Sequence, residues 1–336
     1  MDDNKKMKTN EEIQKIDVAP RNVMEVKTAN DELEERKKKI ANFLRQKKDW
    51  IYYVILSFIV FLSVYIRTRN IPKLKDITTG TWTLGPDLDP FLFLRWAEYI
   101  VEHGKLFVID SMRSVPLSEI CSGITCNPIS TASEMKLLPY MIAWFHQGFS
   151  IFTTETSVTY SAIIFPVFMA ALTAIAFFLF AREIFYKEDR NTKNIIALIA
   201  TFLFVLIPSM LPRTIAGIPE KESAAFFFMF MAFYFFIKAF NSEKIKKGLI
   251  FGILPGIFTR LMALLWGGAI FIFFTISPAV LFAFILGKIK RKELVSYAIW
   301  IISAAILMNI FSTRHSFNNL LFSLSTGLSI ATVFLI

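Results

Sequence analysis

From Trp50 onward the chain is a succession of long apolar runs, at about 50–67, 135–152, 158–181, 195–211, 224–240, 248–287, 294–311 and 320–336. A helix needs about 20 mostly apolar residues to cross a hydrocarbon core, so these runs constrain the fold more than any other feature. The charges lie elsewhere: 24 of the 64 charged residues fall in residues 1–49. The remaining 287 residues carry 40 of them, about 14%, against roughly 25% in an ordinary soluble domain. No soluble core hides 36 Phe with so little charge to cover it. A single soluble globular enzyme is therefore excluded, and the expected class is an all-α polytopic membrane protein. The net charge of +10 reads as membrane topology rather than nucleic-acid binding.

Residues 1–49 read as a charged cytosolic tail, because no apolar core near the start marks a signal peptide. The 248–287 run is twice the length of a span and is expected to split near Leu264–Gly268. The 135–152 run contains Lys136, Pro139, His146 and Gln147, which suits an interfacial helix better than a spanning one. Keeping it on the outer surface places Arg182, Lys187, Arg190 and Lys193 inside, together with Lys244, Lys246, Lys247, Lys288, Lys290, Arg291 and Lys292. Basic residues in short loops favour the cytosol. This model gives about eight spans, a cytosolic N-terminus, a long first external loop at about 68–157 and a second at about 212–223. The chain stops at Ile336 within an apolar run, which leads to the expectation of an incomplete or split protein.

Acids then fall on one face of the membrane. The first loop carries Gly85-Pro86-Asp87-Leu88-Asp89-Pro90, and the second carries Ala216-Gly217-Ile218-Pro219-Glu220-Lys221-Glu222. Either pair alone fits a solvated turn or a helix cap. Together they could supply oxygen ligands to a hard cation, Mg²⁺ or Mn²⁺, that stabilises a departing phosphate. His103, His146 and His315 sit in no recognisable triad setting, and Cys121 and Cys126 are too few for a disulfide framework. The Phe-rich run at 224–240 simply faces lipid and neighbouring helices.

Asp87-Leu88-Asp89-Pro90, running into Arg95-Trp96-Ala97-Glu98-Tyr99-Ile100, resembles the first external-loop motif of the catalytic subunit of oligosaccharyltransferase. The stretch from Arg213 to Glu222 resembles that family's second acidic motif, and Thr259-Arg260-Leu261-Met262 with Trp266-Gly267-Gly268 resembles a further segment. The resemblance implies a GT-C type transmembrane bundle with a long helical first loop. Its implied activity is inverting transfer of an oligosaccharide from a lipid phosphate or diphosphate to the Asn of an Asn-x-Ser/Thr sequon, outside the cytosol. Carried over by position, Asp89, Glu220 and Glu222 would bind the metal, with Asp89 also contacting the acceptor amide. Arg213 would hold the carboxylates or the phosphate, and Asp87 belongs to the motif as a less secure ligand. Arg260 would face the protein interior, its partner being either a lipid phosphate or a structural acid. Glu220 stands where the family usually has Asp.

The family's later glutamate and its C-terminal extracytoplasmic domain, with the Trp-Trp-Asp-Tyr-Gly motif, do not occur in this sequence. The resemblance thus covers the first half of the membrane domain, and a separate chain supplying the remainder is an expected partner. The alternatives are another GT-C enzyme using polyprenyl-phosphate sugars, or a non-catalytic membrane scaffold or transporter.

Overall fold

The computed structural model describes residues 34–39, 49–114, 128–154, 157–242, 245–310 and 317–335. The chain divides into two units, Met1–Trp50 and Ile51–Ile336. Within the first, residues 34–39 are helical and exposed, with Lys37 paired to Glu34 at 3.1 Å. Cys121, Cys126 and His315 lie outside the described residues.

Helix α1 (Asp49–Thr68) opens the bundle and ends in a 3-10 turn at Ile71–Leu74. After the first loop come α4 (Val158–Ile184), α5 (Arg190–Val205) and α6 (Lys221–Phe240). They are followed by α7 (Ile245–Leu265), α8 (Ile270–Ile285), α9 (Arg291–Ile310), α10 (Phe317–Phe322) and α11 (Leu324–Leu335). Local chemistry sets several starts. The Ser157 hydroxyl accepts from the Tyr160 N–H at 3.1 Å, and the Asp189 carboxylate accepts from the Asn191 and Thr192 N–H groups at 2.9 and 3.2 Å. Each satisfies donors that a helix N-terminus leaves open.

Helix α6 packs against α4 on one side and α7 on the other, and α9 packs on α7. The α7–α9 approach depends on Gly256, where a Cβ would lie 2.0 Å from the Ser303 Oγ and 3.0 Å from the Ala304 nitrogen. Small residues at such crossings let membrane helices meet closely. The Phe-rich face of α6 fills these interfaces: Phe228, Phe230 and Phe236 are buried, and Phe236 meets Trp300 with ring centroids 5.4 Å apart.

Among the described residues, five helices are long and apolar enough to cross a membrane. The other three expected spans take shorter forms. Helix α5 has 16 residues, the apolar part of α7 runs Ile250–Leu265, and the last run breaks at Ser323 between α10 and α11. The 248–287 run does split where expected: α7 ends at Leu265, Trp266 is extended, and a 3-10 turn at Gly267–Ala269 leads into α8.

The first loop contains α2 (Asp89–His103) and α3 (Leu137–Phe149). With 13 residues, α3 is only about 20 Å long, short of a hydrocarbon core. It packs against α2 and α4 through Leu138, Ile142, Ala143 and His146. The all-α expectation holds for the bundle, and the first loop adds one short hairpin to its two helices. Strands β1 (Ile109–Ser114) and β2 (Pro128–Ser130) pair antiparallel, with Ile109 opposite Ser130. Buried Asp110 holds this hairpin to α2. Its carboxylate accepts two hydrogen bonds from the Arg95 guanidinium, at 2.9 and 2.5 Å, and one from the Trp96 indole at 3.0 Å. Burial opposes its ionisation, but these bonds and the Arg95 charge outweigh that and hold the carboxyl below its ordinary range.

Candidate active site

The two acidic segments meet because their backbones are joined. Gly217 adopts φ +86°, open to glycine at little cost. Its carbonyl accepts from the Gly85 N–H at 2.8 Å, and its own N–H donates to the Ile163 carbonyl of α4 at 3.0 Å. A Cβ here would lie 2.5 Å from the Leu74 Cδ1. One residue earlier, the Ala216 N–H donates to the Arg67 carbonyl at 3.0 Å, and the Asn70 amide donates to the Ala216 carbonyl at 2.7 Å. Buried Arg67 completes the joint, donating to the Thr214 hydroxyl at 2.8 Å, to Ser63 and to the Val205 carbonyl at 3.2 Å. The second loop is thus bound to α1, α4 and the first loop at once. Asp87 lies two residues beyond Gly85 and Glu220 three beyond Gly217, so the two carboxylates leave the joint toward each other.

Glu220 is the residue before α6 and is 4% exposed, yet its side chain makes no capping bond to that helix. The helix-cap reading therefore fails for Glu220. Its carboxylate takes a hydrogen bond from the Arg213 guanidinium and shares another with Asp87. Arg213 also lies 3.9 Å from the Asp87 carboxylate. Burial, then the Asp87 contact, pushes the Glu220 pKa up to about 7 despite Arg213. The bond from Glu220 holds Asp87 below its ordinary range, and the bond to Glu220 raises Arg213. Below about pH 7 the pair thus holds a shared proton.

This arrangement fixes the sign of a pH effect. Between the ordinary glutamate value of 4.5 and about 7, the folded state holds a proton that the unfolded chain releases. Stability from Glu220 is therefore fully present below about 4.5 and lost as pH rises through about 7. Asp87, whose value is lowered from 3.8, acts in the opposite sense and only at more acid pH. The thermal midpoint of metal-free protein is expected to fall across this window, and Glu220→Gln to remove that component. An unchanged slope in the variant would refute the shared proton.

The other expected residues are placed differently. Glu222, half-buried in the first turn of α6, is near enough for its charge to act on both Arg213 and Glu220. Asp89 is exposed at the start of α2, where its charge suits the helix N-terminus. Its backbone N–H donates to Asp87, but its side chain makes no hydrogen bond or ion pair among the described residues. Arg260, in α7, is 3% exposed, and among the described residues none of its three guanidinium nitrogens has a hydrogen-bond partner. His146 is satisfied by the Ser161 hydroxyl at 2.9 Å, and His103 stacks on Tyr99. Lys221 lies 5.2 Å from the Phe93 ring centroid, tying the start of α6 to α2. Sequence reasoning missed Arg67 and Asp110. An arginine closing an otherwise apolar span was a signal for the first; nothing in the local pattern marked the second.

No group of three or more His, Cys, Asp or Glu side chains among the described residues is gathered tightly enough to hold a metal ion. The donor chemistry nevertheless suits a hard divalent cation. Two carboxylates meet beside Arg213, and a third is within charge–charge range.

The family profile described as "Oligosaccharyl transferase STT3, N-terminal" matches residues 50–335. The chain belongs to the STT3 oligosaccharyltransferase family. It is 24% identical over 259 residues to the dolichyl-diphosphooligosaccharide–protein glycosyltransferase subunit STT3 of Dictyostelium discoideum, covering 76% of this chain and 32% of that protein. It is 22% identical over 227 residues to the dolichyl-phosphooligosaccharide-protein glycotransferase of Methanococcus voltae, covering 63% and 24%. The chain thus spans about a third or less of the length of these STT3 relatives. The fold is that of the archaeal oligosaccharyltransferase AglB from Archaeoglobus fulgidus, a GT-C membrane fold. The AglB complex with an inhibitory peptide and a dolichol-phosphate superposes with a TM-score of 0.66 at 19% identity, covering 86% of this chain and 33% of that one. A crystal structure of the A. fulgidus enzyme with Zn and sulfate gives 0.65 at 20%, covering 83% and 35%.

Proposed function

We propose that this chain supplies the metal-binding half of an oligosaccharyltransferase active site, on the extracytoplasmic rim of the membrane with the N-terminus in the cytosol. The observation that carries the reading is the Gly85–Gly217 joint, which unites two acidic motifs 130 residues apart in sequence around Arg213. The donor is a lipid-(di)phosphate-linked oligosaccharide and the acceptor the Asn of an Asn-x-Ser/Thr sequon. The dolichol-phosphate and peptide bound to AglB support both classes. The remaining acceptor-binding groups come from sequence outside residues 50–335, on the same chain or a partner chain.

Asp89, Glu220 and Glu222 would hold Mn²⁺ or Mg²⁺, with Asp87 beside them. The cation would stabilise the negative charge on the departing phosphate. Asp89, exposed at the mouth of the site, accepts hydrogen bonds from the acceptor amide NH₂, orienting a nitrogen whose lone pair is tied up in conjugation. Glu220 would act as a ligand in its ionised form. Arg213, half-exposed at the edge of the cluster, keeps the carboxylates in place and faces the phosphate as it leaves. Arg260, without a counter-charge among the described residues, provides a second contact for the donor phosphate.

The test is transfer of labelled glycan from its lipid carrier to a sequon peptide, using the full protein with any partner chain it requires. Transfer should require Mn²⁺ or Mg²⁺ and stop in chelator. Transfer that persists without a divalent cation would overturn the assignment.

A further inference from the structure

We propose that the groove between α1, α3 and α4 binds one anionic bilayer phospholipid, an acyl chain in the groove and the phosphate at Lys75. The groove has a volume of about 500 Å³ and is lined only by apolar side chains and a glycine, among them Val64, Trp144, Phe149, Ile164 and Phe168. Gly148 lines it, and a Cβ there would meet no atom within 4 Å. Trp144 and Phe168 stay 57% and 43% exposed, and α1 presents Val54, Phe58 and Phe61 outward. In a bilayer such a space is filled by hydrocarbon, since no water is there to enter it.

The mouth of the groove says which lipid. Phe149 meets Tyr160 with ring centroids 6.2 Å apart, Tyr160 meets Trp82 at 4.9 Å, and the Lys75 Nζ lies 5.4 Å from the Trp82 centroid. An aromatic path thus leads from the hydrocarbon slot to a cation. The last step is built into the backbone. Lys75 and Trp82 face each other across a bridge flanked by bonds from the Thr83 N–H to the Leu74 carbonyl, 2.8 Å, and from the Asp76 N–H to the Thr81 carbonyl, 2.9 Å. Tryptophan and tyrosine favour the headgroup level. Lys75 makes no ion pair there among the described residues, so its positive charge is available for a phosphate. None of these groups belongs to the acidic cluster, so the proposal stands apart from the catalytic reading.

The experiment uses the full chain in detergent micelles, titrated with phosphatidylglycerol or phosphatidylcholine. The thermal midpoint is read together with the number of lipids retained in native mass spectra. Wild type should retain one phosphatidylglycerol and be stabilised more by it than by phosphatidylcholine. Lys75→Gln should weaken phosphatidylglycerol binding about fivefold, the worth of one lysine at an anionic surface, and leave phosphatidylcholine unaffected. Gly148→Leu, which fills the slot, should abolish retention of both. Equal stabilisation of wild type by the two lipids, or undiminished retention in Gly148→Leu, would overturn the proposal. Displacement of phosphatidylglycerol by polyprenyl phosphate at equal concentration would assign the groove to the carrier lipid and overturn it too.

Discussion

Glu220→Gln is expected to lower oligosaccharide transfer by about 10²- to 10³-fold, the usual loss when one preorganised electrostatic group is removed from an active site. The protein should remain folded, because Gln reproduces the protonated form of Glu220 already present in the metal-free cluster. Its carbonyl accepts from Arg213, and its amide donates to Asp87 in place of the shared proton. What Gln cannot do is ionise when a cation arrives. The variant should therefore match the metal-free thermal midpoint of wild type near pH 4.5, exceed it at neutral pH, and lose the stabilisation that Mn²⁺ gives wild type. Asp89→Ala should lose the same Mn²⁺ shift without touching the Arg213–Glu220 bond, since its side chain contacts neither residue. Undiminished transfer and an intact Mn²⁺ shift in Glu220→Gln would remove this residue from the site.

Arg260→Met should change stability and donor use in opposite directions. The guanidinium of Arg260 is almost completely buried, with all three nitrogens unpartnered among the described residues. A buried charge without compensation is strongly unfavourable, and replacing buried ionic groups with apolar ones of similar size often stabilises by about 1–4 kcal/mol. Met is close in length and should raise the thermal midpoint. If the arginine contacts the donor phosphate, the same change raises the KM for the lipid-linked donor by about tenfold or more, the worth of a charge-assisted hydrogen bond. The KM for the sequon peptide should not move. A higher midpoint with an unchanged donor KM would make Arg260 a purely structural charge.

The helices of the bundle were legible because hydrocarbon imposes a simple rule on composition: a spanning helix must be apolar over most of its length. The break at Leu264–Gly268 followed from the same rule, since 40 continuous apolar residues exceed one crossing. The interruption at Ser323 was not legible. Ser323, Ser325 and Thr326 bond one another and the Leu320 carbonyl, an alternative to helix continuation that hydropathy averages away. The hairpin of β1 and β2 was hidden for a related reason. It rests on one buried aspartate, Asp110, paired with an arginine 15 residues earlier.

By itself the sequence determined that the chain is a membrane bundle, which loops carry the acids, and which family those acids resemble. These are properties of composition and order. Which acid meets which was decided only in three dimensions. The resemblance ranks Asp89 above Asp87 as a ligand, but the Gly85–Gly217 hydrogen bond sets the loop so that Asp87 meets Glu220 while Asp89 opens α2 toward solvent. Arg67 likewise looks like a residue at the end of a span until Thr214 and Val205 close around it. The direction of a side chain at a loop depends on backbone bonds to segments far away in sequence, and no local pattern carries that information.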